Sequence, residues 1–217
     1  MKKKIISGVV IFLLLLACVP FLPPVYRNYT KPFVAAWWSR KEWYAEVDNA
    51  NLDSVKRYCQ KYGYNSEYYI LVDFGIRSGR KRFFVYNLRD KNCVTSSYCL
   101  HGSGKGNTDA KPKFSNLPGS GCSSLGRYLM INKGYKKRLG NFVRLRGLDK
   151  TNYLAEGRGI YIHSASRVSR FRGESDYLSI GSESKGCFAI SKDCMSKVLE
   201  ICSKSSDKHP VLLFAKY

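Results

Sequence analysis

The stretch Tyr68-Tyr69-Ile70-Leu71-Val72-Asp73-Phe74 is the clearest indication of the fold class. A short apolar run that ends at turn-forming residues is typical of a buried β-strand, and the turn here is Gly75–Gly79. Similar runs follow along the chain. They predict strands at 82–88, 93–100, 127–131, 141–145, 159–163 and 211–215. The fold is therefore predicted to be mainly β and sandwich-like, with a few short helices.

Helical spacing and loop composition divide the rest of the chain. The segment 51–63 predicts a helix that Asn51 caps and Gly63 ends, and the segment 191–203 predicts a second helix. Between the strands, residues 101–124 are rich in Gly, Ser and Lys and have little periodicity. Long loops in compact domains usually serve a function, so we expect this loop to lie over a substrate cleft.

The charge balance predicts anionic surroundings. The 217 residues include 37 Lys and Arg against 16 Asp and Glu, a net charge of +21. With 44% hydrophobic residues the chain is not a disordered polyelectrolyte. Its single long apolar run and mean hydropathy of −0.30 exclude a protein with many membrane spans.

The start of the chain predicts export. Lys2, Lys3 and Lys4 precede the apolar run 5–22, the arrangement of an export signal or membrane anchor. An uncleaved anchor is the first interpretation, and a cleaved signal peptide or a lipoprotein modified at Cys18 are the alternatives. The domain would then lie in the cell envelope, periplasmic or extracytoplasmic, where nucleic acid is not an expected partner. We divide the chain into 1–24 (anchor or signal), 25–65 (juxtamembrane, with a short helix) and 66–217 (folded domain).

The cysteine count suggests a free thiol. Eight cysteines are present, and seven remain when Cys18 in the apolar run is set aside. An odd number in an exported domain indicates at least one unpaired, reactive thiol. The alternative is a set of reduced, buried cysteines that pack as small hydrophobic residues.

Two segments carry the candidate chemistry, 160–165 (IYIHSA) and 182–189 (SESKGCFA). The Cys187 thiol needs a base to become a nucleophile, and His163 is the candidate. Gly186 permits a sharp turn that directs backbone N–H groups at an oxyanion. Because side chains alternate along a strand, we expect Tyr161 and His163 to face the cleft and the isoleucines beside them to face the core.

The order of His163 and Cys187 along the chain argues against some classes of thiol enzyme. His163 comes 24 residues before Cys187, whereas papain-like hydrolases place the cysteine first. Sortases also place the histidine first, but they need an arginine after the cysteine, and the sequence has none there. A buried structural thiol is the other interpretation of Cys187.

The sequence resembles the L,D-transpeptidase catalytic domain of the YkuD-like superfamily, and in particular its murein branch. The signature, a histidine followed by [Ser/Thr]-x-Gly-Cys, reads here as His163 and Ser184-Lys185-Gly186-Cys187. Further landmarks of the branch occur in order over 66–217. They are VDF (72–74), KRF (81–83), HGSG (101–104), FSN (114–116), SSLG with Tyr128, LxGL (145–148), and Asn152 to His163. Lys185, Phe188 and Arg127 depart from the usual pattern.

The resemblance implies a cysteine transpeptidase that acts on peptidoglycan tetrapeptide stems through a thioacyl enzyme. Cys187 would be the nucleophile and His163 the base, oriented by the Ser164 carbonyl, with oxyanion donors near Gly186. Water as acceptor would make the enzyme an L,D-carboxypeptidase. No metal or cofactor is implied, and we expect a monomer. The implied substrate-binding residues are Ser184, His101, Ser115, Asn116, Ser124, Tyr128 and Arg158.

Other interpretations remain open at this point. Ser184 could only cap a turn, His101 could hold the long loop, and Arg158 could form a surface salt bridge. A zinc site of His101, His163 and Cys187 lacks the usual ligand spacing. For the whole protein, the alternatives are a catalytically silent cell-wall binding module and a thiol amidase or sortase-like transpeptidase that acts on proteins.

Overall fold

The computed structural model describes residues 49–179, 184–205 and 208–217. The anchor predicted at 5–22 lies outside these residues; within them, no helix is both long and apolar enough to cross a bilayer. The strands are β1 (Tyr68–Asp73), β2 (Phe83–Asn87), β3 (Asn92–Ser97), β4 (Gly126–Lys136), β5 (Gly140–Gly147), β6 (Tyr161–Ser164), β7 (Phe188–Ile190) and β8 (Leu212–Lys216). The helices are α1 (Asn49–Lys61), α2 (Ala155–Arg158), α3 (Ser166–Arg170) and α4 (Lys192–Lys204).

The strands form one hydrogen-bonded sheet in the order β3-β2-β1-β8-β4-β5-β6-β7. The pairs β1–β8 and β6–β7 are parallel, and the other neighbours are antiparallel. The register shifts between Val85 and Tyr86 and again between Met130 and Asn132. Such shifts bend and twist a sheet locally. The prediction of a mainly β fold with short helices is confirmed.

The core packs β7, the last strand of the sheet, against side chains of β4 and of the segment after β1. The Phe188 ring on β7 lies 5.9 Å from the Phe74 ring, which follows β1, and 5.6 Å from the Tyr128 ring on β4. All three side chains are almost fully buried. Helix α4 adds Met195 and Val198 to the same cluster. The sheet therefore curls around a single core that includes one face of α4.

Several element boundaries follow from local chemistry. Ser191 caps α4 by accepting a hydrogen bond from the Cys194 N–H at 3.4 Å, as expected of an N-cap serine. Gly63 ends the predicted first helix with a φ of 71°. The third strand ends at Ser97, earlier than the predicted residue 100. Strand β7 has only three residues and was not predicted, because so short an apolar run has no measurable period.

All seven cysteines of the described residues are free thiols, and five of them are buried. They are Cys59, Cys93, Cys99, Cys122, Cys187, Cys194 and Cys202. Most of these cysteines therefore pack as small hydrophobic residues, which was the alternative interpretation of the cysteine count.

Strand β6 separates core from cleft. Ile160 and Ile162 belong to the core cluster and are at most 1% exposed. Tyr161 and His163 point to the opposite face, where both line a cleft. The predicted alternation along this segment is confirmed, and it sets the orientation of the histidine.

Replacing Phe188 with alanine should lower the free energy of unfolding by about 3–5 kcal/mol. The substitution leaves a cavity in the core, where the fully buried Phe188 ring contacts Phe74 and Tyr128. Urea unfolding followed by circular dichroism measures the loss. Leu117→Ala is the matched control, since Leu117 is 69% exposed, and it should change the free energy by no more than about 0.5 kcal/mol. A Phe188→Ala loss as small as the control's would contradict this description of the core.

Candidate active site

The turn before β7 fixes the position of Cys187. Gly186 has a φ of 110°, and a Cβ on it would lie 2.7 Å from the Cys122 carbonyl oxygen. A larger residue would therefore meet both backbone strain and a steric clash. The buried Ser184 hydroxyl donates a hydrogen bond to the Cys187 carbonyl at 2.7 Å. Ser184 thus braces the turn, and its side chain does not line the cleft.

The Cys187 thiol lies at the inner end of the cleft and is 9% exposed. It packs with Phe142 and Tyr161, and its Sγ lies 3.6 Å from the Gly159 carbonyl oxygen, to which it donates. Burial raises the pKa of this thiol, and hydrogen bonding from the Tyr161 backbone and the charges of Lys136 and Arg158 offset part of the rise. The resting group is therefore a thiol that needs a base.

His163, the candidate base, lines the same cleft. It lies on β6, and β6 pairs in parallel with β7, the strand that follows Cys187 directly. Its Nδ1 lies 3.0 Å from the Ser164 carbonyl oxygen. A carbonyl only accepts, so Nδ1 carries the ring proton and Nε2 is the basic nitrogen of the neutral ring. The structure brings together Cys187, His163 and Ser164 as the sequence analysis expected; their catalytic roles stay predictions.

The cleft has a volume of about 860 Å³ and a strongly basic lining. The described lining residues include six cations and no Asp or Glu. No carboxylate among the described residues pairs with any of the six. The cations are Lys136, Arg138, Arg158, Arg170, Lys185 and Lys192.

The long loop 101–124 packs against the turn that carries Cys187. The Ser103 N–H donates to the Ser184 carbonyl at 2.9 Å, and a Cβ on Gly102 would lie 2.8 Å from the Gly186 nitrogen. No residue of the loop lines the cleft described above. The loop therefore lies close to Cys187, and its position over a bound substrate stays a prediction.

Arg158 is the main contact between helix α2 and this loop. Its guanidinium donates to the Ser115 carbonyl at 2.8 Å and to the Cys122 carbonyl at 2.6 Å. The Ser120 and Ser124 hydroxyls lie at 3.3 and 3.4 Å. Arg158 also lines the cleft, so it is a candidate both for holding the loop and for binding a substrate. No carboxylate of the described residues forms the surface salt bridge that was considered for it.

Other predicted binding residues are engaged away from the cleft lining. Asn116 donates to the Lys150 carbonyl and accepts from the Leu154 N–H. The fully buried Tyr128 hydroxyl lies 2.7 Å from both the Ser124 hydroxyl and the Ser124 carbonyl. Arg127 pairs with Asp149 and with the Tyr58 hydroxyl. Neither Asn116, Tyr128, Ser115 nor Ser124 lines the cleft.

His101 is held by a buried arginine. Arg82 is 1% exposed, and its Nη2 donates to His101 Nδ1 at 2.9 Å. His101 Nε2 lies 3.2 Å from the Thr108 carbonyl oxygen. Because a guanidinium only donates, the ring is neutral with its proton on Nε2. Burial and the Arg82 charge lower the His101 pKa to about 4. His101 therefore does not line the cleft. Its contacts with Arg82 and Thr108 hold the loop instead.

Sequence reasoning placed Tyr161 on the cleft face but missed Lys136 and the contact between the two residues. The Lys136 Nζ lies 2.9 Å from the Tyr161 hydroxyl, and both residues line the cleft. The alternation of β6 indicated the Tyr161 face, but nothing in the sequence connected it with the end of β4. Among the described residues, no group of His, Cys, Asp and Glu side chains converges in a way that could hold a metal ion.

The chain is similar to one family of known proteins. The family model described as L,D-transpeptidase catalytic domain matches residues 42–208. Two solved structures share 13% identity over 69% of this chain. One is an L,D-transpeptidase from Xylanimonas cellulosilytica, with a TM-score of 0.36, and the other is the helical cell shape determining protein Pgp2 from Campylobacter jejuni, with a TM-score of 0.44. This chain covers 60% of the first and 46% of the second, less than two thirds of either. No curated protein matches the chain.

The buried His101 predicts a loss of stability in acid. Its pKa is about 4 in the folded protein and about 6.5 when unfolded. The unfolded chain therefore binds an extra proton between these values, and unfolding free energy falls as pH drops from about 6.5 to 4, by up to about 1.4 kcal/mol per pH unit. His101→Asn keeps an acceptor for Arg82 and does not titrate. Urea unfolding at several pH values should give a flatter profile for this variant, and identical slopes would contradict the assignment.

The raised pKa of Cys187 predicts how the resting enzyme reacts with an alkylating agent. Iodoacetamide modifies the thiolate, so the labelling rate of Cys187 should continue to increase above pH 9 in the protein without substrate. Peptide mapping of the labelled protein measures this rate. A rate that levels off near neutral pH would instead indicate a stable thiolate–imidazolium pair.

Proposed function

This chain belongs to the L,D-transpeptidase catalytic domain family, and we propose that it is a cell-envelope cysteine L,D-transpeptidase acting on peptidoglycan stem peptides. The donor would be a tetrapeptide stem that ends in D-alanine. The acceptor would be an amine of a neighbouring stem, and water as acceptor would give L,D-carboxypeptidase activity. The protein would work as a monomer outside the cytoplasmic membrane, tethered by residues 5–22.

The observation that carries this proposal is the meeting of Cys187 and His163 on one wall of a cleft, with Nδ1 of the histidine fixed by the Ser164 carbonyl. A buried thiol beside an oriented neutral imidazole is the arrangement that thiol acyl transfer needs. The imidazole tautomer leaves Nε2 to take a proton, and the buried resting thiol has a proton to give.

In the first half-reaction, His163 Nε2 takes the thiol proton while Cys187 Sγ attacks the peptide carbonyl of the third stem residue. The backbone N–H groups near Gly186 and Cys187 would stabilise the oxyanion. As the tetrahedral intermediate collapses, the C–N bond breaks and the imidazolium gives its proton to the departing D-alanine amine. The products are free D-alanine and a thioester on Cys187.

In the second half-reaction, the acceptor amine attacks the thioester carbonyl and His163 takes a proton from it. The C–S bond then breaks, a new amide forms, and the proton returns to the thiolate. Lys136 and Arg158, whose charges oppose the rise in the Cys187 pKa, would also stabilise the thiolate as a leaving group. No step requires a metal or a cofactor.

Cys187→Ala should abolish D-alanine release from tetrapeptide muropeptides, because the nucleophile is gone. His163→Gln should lower the rate by about 10²–10⁴-fold, since it removes the proton acceptor. Mass spectrometry of the reaction detects the D-alanine loss, cross-linked dimers and hydrolysed tripeptides separately. Cys93→Ala is the control, because Cys93 is a partly buried thiol on β3 outside the cleft lining, and it should retain activity.

Three results would contradict the proposal. Turnover that survives in Cys187→Ala would exclude this thiol as the nucleophile. Folded wild-type protein that binds muropeptides and never releases D-alanine would favour a cell-wall binding module. Cleavage and acyl transfer on a protein substrate, with no release of D-alanine from muropeptides, would favour a sortase-like enzyme.

A further inference from the structure

The lining of the cleft is uniformly basic close to the candidate nucleophile. Six cationic side chains and no carboxylate line it among the described residues. Elsewhere in the described chain, lysines and arginines commonly pair with acids, as in Arg77–Asp176 and Arg146–Glu156. A group of unpaired cations in a concave site raises the local concentration of anionic ligands. The cleft is therefore suited to a ligand that brings its own negative charge.

Two of the lining residues are arranged as a pair of donors. The Lys136 Nζ lies 2.9 Å from the Tyr161 hydroxyl oxygen and 4.6 Å from the centre of the Tyr161 ring. An ammonium only donates, so the Tyr161 oxygen is the acceptor in this bond, and its own proton is directed to another group. Both the ammonium and the phenol O–H can therefore donate to one ligand.

The packing of Tyr161 places this pair beside the thiol. Tyr161 is 6% exposed and packs in one cluster with Cys187 and Phe142. A Cβ on Gly159 would lie 3.1 Å from the Tyr161 hydroxyl, and the Gly159 carbonyl accepts from Cys187 Sγ. The tyrosine ring cannot shift far, so the donors keep a fixed position relative to the nucleophile.

We propose that Lys136 and Tyr161 form a carboxylate-binding subsite that holds the terminal carboxylate of the donor peptide's leaving residue. The inference rests on the proposed function, because it takes the reacting amide to be the last one in the peptide. A carboxylate accepts from an ammonium and from a phenol at the same time, and hydrogen bonds to a charged group are the strong ones. The terminal carboxylate lies three bonds beyond the scissile carbonyl carbon, within reach of side chains that border Cys187.

The subsite would make the enzyme selective for the end of a peptide chain. A terminal carboxamide carries no charge, and its NH2 group would face the Lys136 ammonium. A peptide that continues past the leaving residue would likewise lack the anion. The other exposed cations of the cleft, such as Arg138 and Arg170, would attract the peptide at long range without fixing its register.

The test uses the full chain and two donor peptides, a tetrapeptide muropeptide that ends in D-alanine and the same peptide with a terminal carboxamide. Wild-type protein should have a higher kcat/KM for the carboxylate form. Lys136→Met and Tyr161→Phe should lower that value about 10-fold or more, and kcat/KM for the carboxamide form should fall less, by only the part that any change near Cys187 causes on both peptides. Lys133→Met is the matched control, since Lys133 is an exposed β4 lysine that bonds to Ser203 outside the cleft, and it should keep the wild-type preference.

A binding measurement tests the carboxylate subsite independently of the proposed transpeptidase activity. Calorimetry on Cys187→Ser measures the affinity for both peptides without turnover, so it reports on the subsite even when wild-type protein releases no D-alanine. A carboxylate preference that disappears with Lys136→Met or Tyr161→Phe in this background supports the subsite. An equal loss on both peptides, or a preference unchanged in the two variants, would overturn it.

Discussion

The contacts of Arg158 with the long loop are the interaction on which the geometry of the site depends. This guanidinium binds the Cys122 carbonyl, and the same carbonyl oxygen closes the space behind Gly186. The loop, helix α2 and the turn that carries Cys187 therefore meet at one oxygen atom. Burial lowers the Arg158 pKa, but neutral carbonyl and hydroxyl acceptors hold its donors. A fixed positive charge thus remains near the thiol, and no carboxylate of the described residues pairs with it.

The uniform charge of the cleft acts on both members of the candidate catalytic pair. A positive field favours the Cys187 thiolate and disfavours a protonated His163 imidazole. Burial of Cys187 opposes the first effect, so the thiol keeps its proton in the resting protein. Proton transfer then belongs to the reaction itself and not to the protein without substrate. An anionic peptide that enters the cleft would weaken the positive field that acts on both groups.

Local patterns in the sequence were sufficient for seven of the eight strands and for the orientation of β6, because apolar periodicity reports burial directly. The family signature also selected Cys187 and His163, which the structure brings to one cleft. The long loop and His101 could not be predicted in the same way. Their partners, Arg158 and Arg82, are separated from them in sequence. Arg158 binds backbone carbonyl groups of the loop, which any residue type carries, and Arg82 binds the His101 ring nitrogen. The pairing of Lys136 with Tyr161 likewise depends on the register between strands, which composition does not encode.

The sheet order has a consequence for how the domain folds. Strand β8 lies between β1 and β4, so in the order of the sheet it is the strand that joins the β3-β2-β1 ladder to the β4-β5-β6-β7 ladder. The pairing of Tyr69 with Leu212 spans most of the described chain, and contacts of such high sequence separation form slowly. Until β8 inserts, the two ladders expose unpaired edges, and the core that Phe188 shares with Phe74 cannot close. Assembly of the thiol site therefore waits for residues 212–216, almost the last of the described chain, to take their place in the sheet.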